Sequence, residues 1–140
     1  MKMGIKIKGL EHISWAAPSV EKGADTLAFL GFLPSITEDI TSHDVVTTYF
    51  HHPCTLQFEI IRPLDVHSHL NRFLEQRGPG LHHVCLQVEN LDEACAEVKA
   101  KGWDLVGGVF ADSRGRHSFI HPRSTGGVLI GLIELHPGLS

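Results

Sequence analysis

The five residues GLEHI at positions 9–13 return as GLHHV at positions 80–84. Shifting the chain by 71 residues lays Gly9 on Gly80, Leu10 on Leu81 and His12 on His83. Further along it lays Gly31-Phe32 on Gly102-Trp103. A repeat of this kind narrows the choice of fold more than any other feature. Each copy is one supersecondary unit, and neither is long enough to bury both faces of its own sheet.

Within each copy the apolar period changes in the same order. GLEHISWAA alternates like a strand and breaks at Pro18-Ser19, which reads as a helix N-cap. Val20, Ala24, Leu27 and Ala28 then follow at helical spacing and Gly31 closes the helix. FLPSITEDI, DVVTTYFHH and TLQFEII are three strand candidates. In the second copy GLHHVCLQV is the strand, and Asn90 with Glu93 reads as a capping box. Leu91, Ala94, Cys95 and Val98 form the helix face, and Gly102 is the stop. WDLVGGVF, RHSFIH and GVLIGLIEL complete it. The expected fold class is therefore α+β: two βαβββ modules, residues 8–62 and 80–136, form a curved mixed sheet around a cleft with the helices outside. The linker, residues 63–79, carries a short helix with Leu70, Phe73 and Leu74 on its apolar side, and the whole chain is expected to be one domain.

Strand alternation assigns the faces. Ile13 and Trp15 are expected under the first helix, with His12 and Ser14 toward the cleft. In the twin strand Val84 and Leu86 go under the helix, while His83, Cys85 and Gln87 face inward and His82 faces away. The repeat thus delivers two imidazoles to related positions. Eleven histidines in the chain agree with a metal site using a few of them. In TLQFEII, Gln57 and Glu59 share a face and either could complete the ligand set, the carboxylate being the stronger donor.

The bulk numbers exclude several functions. The net charge of −4 has no basic stripe behind it, which argues against nucleic acid as a partner. No apolar run reaches the ~18 residues of a membrane span. The opening MKMGIKIKG lacks the apolar stretch of a secretion signal, and Cys54, Cys85 and Cys95 have no metal or disulfide spacing. A cytoplasmic protein with its cysteines as small core residues is expected.

The stretches LEHISWA, FEIIRPL, LNRFLEQRGPGLHHVCLQVENLDEA and FIHPRSTGGVLI are spread along most of the chain, from Leu10 to Ile130. Together they resemble the vicinal oxygen chelate superfamily of glyoxalases, bleomycin-resistance proteins and extradiol dioxygenases, and within it the methylmalonyl-CoA epimerase family. The resemblance implies a metal-dependent isomerase that acts on an acyl thioester through a stabilised enolate. It also implies one divalent metal ion (Co, Mn, Fe, Ni or Zn) held by His12, Glu59 and His83. A homodimer is expected, as paired modules of this type form. Gln57, Gln87, His121, Arg123 and Ser124 are the candidate substrate contacts, the last three in the loop that approaches the acyl-CoA end of the cleft in that family.

One departure stands out. The family places a fourth ligand, a glutamate that also serves as a base, after the GGVLI run; this chain has Gly131 there. Glu134 matches a second, non-ligand acid of the pattern and is expected on the opposite face. Proton transfer then needs another carrier, and Tyr49, His51 and His52 in DVVTTYFHH are the candidates. Two other readings follow from the same residues. Two histidines with one carboxylate match the ligand count of O2-dependent non-haem iron enzymes. A cleft that only sequesters a small molecule, as resistance proteins do, would need no chemistry.

Overall fold

The computed structural model describes residues 4–139. The chain divides into two compact units: residues 12–82, and the residues up to Glu11 together with those from His83 onward. The first unit carries β1 (Ile7–Ala16, of which His12–Ala16 belong here), α1 (Glu21–Phe29), β2 (Leu33–Ile40), β3 (Val45–His51), β4 (Gln57–Pro63) and α2 (Leu70–Arg77). A 3-10 turn, Thr41–His43, separates β2 from β3. From His83 onward the second unit carries most of β5 (Gly80–Val88), then α3 (Leu91–Ala100), β6 (Leu105–Ala111), β7 (Gly115–Ile120), α4 (Pro122–Thr125) and β8 (Ile130–Leu135).

Strand order is β2-β3-β4-β1 in one module and β5-β8-β7-β6 in the other. The β1–β4 and β5–β8 pairs are parallel and the rest antiparallel, so each module is mixed. The two βαβββ modules read from the sequence are both present.

The two long helices end in the same way. In α1 the N–H of Phe32 reaches Leu27 O at 2.8 Å, and that of Gly31 reaches Ala28 O at 3.0 Å. In α3 the N–H of Trp103 reaches Val98 O at 3.1 Å, and that of Gly102 reaches Lys99 O at 2.9 Å. Both are Schellman closures, which need a left-handed residue at C′; Gly31 has φ +92° and Gly102 φ +85°. The aromatic residue that follows each glycine folds back onto the core beneath its helix. Leu27, Phe32, Phe50 and Ile60 form one cluster, with Trp15 and Phe58 packed against it. Leu91, Ala94, Cys95, Val98, Ile120 and Leu132 form the other, with Leu86 and Trp103 packed against it. Each fully buried aliphatic side chain of this kind stabilises the fold by about 1.5–3 kcal/mol.

The start of α1 differs from the sequence reading. In α1 the cap position is Val20, with no side-chain cap, rather than Ser19. The Ser19 hydroxyl bonds the Glu21 carboxylate instead and helps hold that acid below its ordinary range. Gly23, not Ala28, joins Leu27 on the buried face. In α3 the Asn90 side chain accepts from Glu93 N at 3.0 Å as expected. Glu134 Oε1 accepts the next orphan donor, Leu91 N, at 2.8 Å. Among the cysteines, Cys85 and Cys95 are core residues, but Cys54 is exposed in the turn before β4. The linker helix α2 buries Leu70 fully, with Phe73 and Leu74 partly buried. No helix among the described residues is long and apolar enough to cross a membrane.

Candidate functional site

In the first module, strand pairing sorts the candidate residues onto two faces. Phe58 and Ile60 of β4 turn toward α1, so Gln57 and Glu59 lie on the opposite face. Directly opposite residues share a face. Tyr49 lies across from Glu59 on β3, and Ser14 across from Glu59 on β1. His51 lies across from Gln57. His12 reaches the same place: its Nε2 is 3.4 Å from Glu59 Oε2, with side-chain exposures of 2% and 7%. The His12 ring meets the Tyr49 ring edge-on at 6.2 Å, and Tyr49 is buried. A carboxylate at this depth is costly without a cation or hydrogen-bond donors.

The three candidate proton carriers are placed differently. Tyr49 sits with Glu59 and His12, whereas His51 is exposed. His52 packs its ring on Phe32, with centroids 5.1 Å apart, on the α1 side. His52 Nδ1 accepts the N–H of Cys54 at 3.0 Å, which fixes the ring above Gly31. His82 turns toward α2, as its place in the alternation predicts, and meets Phe73 at 4.8 Å. Burial pushes its pKa down to about 4, against the attraction of the Glu59 charge.

The second module repeats the row. Cys85 on β5 pairs with Gly131 on β8, and Gly131 with Phe119 on β7. Ser14, Glu59 and Tyr49 thus have Cys85, Gly131 and Phe119 as their internal counterparts. His83 is buried and meets the Phe119 ring edge-on at 4.9 Å. Gln87, half-buried, lies across from Ile133. Glu134 is on the other face, occupied with α3.

The HPRSTGG stretch, read from sequence as a loop, is the short helix α4. His121 is its cap, with Nδ1 accepting from Arg123 N at 3.1 Å. Arg123 Nε donates to Asp104 Oδ2 at 2.9 Å, and Ser124 Oγ accepts from Asp104 N at 3.0 Å. The N–H of His121 also reaches Asp104 O at 2.8 Å, so the exposed Arg123 and the half-buried His121 and Ser124 all bond to Asp104.

Two buried polar pairs in the second unit were not singled out by sequence. Arg114 grips Glu11 with two bonds of 3.0 and 2.9 Å. His117 Nε2 lies 2.9 Å from Asp112 Oδ2. The only sequence signal for His117 was the alternation in RHSFIH, which puts it on the face of Phe119.

A family model described as the glyoxalase/bleomycin resistance protein/dioxygenase superfamily matches residues 11–120. Human mitochondrial methylmalonyl-CoA epimerase is 31% identical over 127 residues, covering 88% of this chain and 72% of that protein. An ethylmalonyl-CoA/methylmalonyl-CoA epimerase of Cereibacter sphaeroides is 30% identical over 132 residues, covering 90% and 97%. The crystal structure of methylmalonyl-CoA epimerase from Mycobacterium tuberculosis superposes with a TM-score of 0.89 at 28% identity, covering 98% of this chain and 94% of that one.

Proposed function

The chain belongs to the glyoxalase/bleomycin resistance/dioxygenase superfamily, and from that premise we propose that it is a metal-dependent, epimerase-like enzyme acting on a short branched acyl-CoA. In this reading both modules work as one domain, and His12, Glu59 and His83 hold one divalent ion. The observation that carries it is the meeting of His12 and Glu59 at 3.4 Å among buried side chains. Imidazole nitrogens and a carboxylate oxygen are the donor set of Zn, Co, Fe, Ni and Mn sites, and the burial of His83 in the matching place of the repeat supplies the second imidazole.

Bound there, a divalent ion supplies Lewis acidity toward a thioester carbonyl, which makes the neighbouring α-proton easier to remove. The remaining work belongs to the chain. Epimerisation takes a proton from one face of the α-carbon and returns one to the other, with no oxidant or reductant consumed. Tyr49 is the proton carrier on one face in this proposal, because its ring lies with Glu59 and His12 while His52 is held on Phe32, and solvent water exchanges the proton on the other face. Gln57 and Gln87 offer amides to the acyl group. The His121–Arg123–Ser124 group offers a cation and a hydroxyl to the phosphates of CoA, with Arg123 exchanging Asp104 for the anion. The enzyme works as a homodimer in the cytoplasm, a compartment in keeping with the absence of disulfides among the described cysteines.

Gly131 favours one competing reading. With no side chain there, the ligand set is two histidines and one carboxylate, as in O2-dependent iron enzymes. An O2 requirement with Fe(II) separates the two.

Metal analysis of protein purified without a histidine tag tests the site. The wild type should retain close to one equivalent after reconstitution, and His12→Ala, Glu59→Gln and His83→Ala should each lose it. Full retention by any of these variants removes that residue from the ligand set.

A further inference from the structure

Four rings lie in contact along one face of the second module. His117 stacks on Phe110, with centroids 4.7 Å apart and planes 11° apart. Phe110 lies nearly parallel to Phe119 at 6.0 Å and 15°. Phe119 meets His83 at 4.9 Å and 83°, an edge-to-face contact. The far end of the row is anchored. His117 Nε2 lies 2.9 Å from Asp112 Oδ2, and Asp112 Oδ1 accepts the N–H groups of Arg114 and Gly115 at 2.9 and 3.2 Å. The near end fits because residue 131 is glycine. A Cβ there would stand 3.0 Å from Phe119 Cε1 and 3.3 Å from Cys85 Sγ.

We propose that Phe119 is the positioning residue of His83, held in place by Phe110 and the Asp112-anchored His117. The inference rests on the reading of His83 as a metal ligand. An imidazole ligand must present one nitrogen in a fixed direction. Its outer torsion is broad and roughly two-fold, so the backbone alone does not fix the ring. An edge-to-face partner restricts that torsion, because tilting the imidazole either way gives up the favourable alignment of ring edge and ring face. Tyr49 has the corresponding place opposite Glu59 in the first module and meets His12 edge-on at 6.2 Å. The two histidines thus have aromatic neighbours in matching places, and the second contact is the closer.

The test compares Co(II) binding and imidazole NMR of wild type, Phe119→Leu, Phe119→Ala and Phe110→Leu, all checked for cooperative unfolding. Phe119→Ala should bind Co(II) at least tenfold more weakly, with a shifted visible spectrum. Its metal-free His83 ring signals should broaden. Phe119→Leu should fall between Phe119→Ala and wild type, and Phe110→Leu should move the same readouts less. If Phe119→Ala does not fold, the Leu variants decide by the same measures. Folded variants with wild-type affinity, an unchanged spectrum and sharp His83 signals overturn the inference. A wild type that binds no Co(II), with His83 signals that still broaden in the variants, supports the positioning and overturns the metal reading instead.

Discussion

Phe119 lies directly opposite Gly131 in the β7–β8 pair, close enough that a Cβ at residue 131 would stand 3.0 Å from its ring. Gly131→Glu therefore has to move the ring by a few tenths of an ångström. Overpacking of this size costs about 1–3 kcal/mol. A urea melt should show that loss, and epimerase assays should show a gain over wild type, because the variant regains an acid where Glu59 has its counterpart. Loss of stability with no gain in a metal-loaded protein would mean that the substrate differs from the relatives' as well.

Two glycines contrast in what surrounds them. A Cβ at Gly115 would stand 2.2 Å from the backbone oxygen of Glu134, whereas at Gly23 it would meet the end of the Ile60 side chain at 2.6 Å. Backbone in a paired strand cannot yield as a side-chain tip can. Gly115→Ala should cost upwards of about 3 kcal/mol or abolish folding, and Gly23→Ala about 1–2 kcal/mol. Chemical denaturation of both variants checks the order, and equal losses would contradict it.

Glu11, although next to His12 in sequence, belongs with Arg114 on the other unit, held by two bonds of about 3 Å and 8% exposed. Arg114→Ala strands a buried carboxylate and should cost about 3–5 kcal/mol. The double variant Glu11→Leu/Arg114→Met should recover most of that loss. A single-variant loss under 1 kcal/mol would show that the pair is solvated in solution.

Burial opposes ionisation of Asp112, but the bonds from His117 and from the N–H groups of Arg114 and Gly115 together hold its pKa below the ordinary value. A depressed folded pKa contributes stability that is present above the unfolded value near 3.9 and is lost as pH falls through the folded one. Asp112→Asn should therefore be less stable than wild type at pH 7, by about 1.5–3 kcal/mol. The gap should close below about pH 4. Denaturation at both pH values measures it, and a gap that does not change with pH would refute the assignment.

The architecture was legible because the repeat is written in backbone signals. Gly31-Phe32 and Gly102-Trp103 encode the same helix closure, and period-2 alternation assigned the faces of Trp15 and Leu86. The start of α1 was not legible, since a serine before a helix caps only if its hydroxyl turns back, and that of Ser19 bonds Glu21 instead. Helix α4 was missed because four residues are too few to show a period, and its cap is an imidazole, His121. Strand faces placed His12, Glu59 and His83, but the partners that settle their surroundings are remote in sequence. Tyr49 and Phe119 become neighbours only through register, and Arg114 lies 103 residues from Glu11.

Deuterium exchange at the α-carbon of methylmalonyl-CoA, followed by NMR in D2O with protein carrying one equivalent of reconstituted metal, tests the central claim most directly. The account predicts exchange that depends on the metal, is abolished in Glu59→Gln and His83→Ala, and is strongly reduced in Tyr49→Phe. Metal-loaded wild-type protein that leaves the α-proton in place would contradict it.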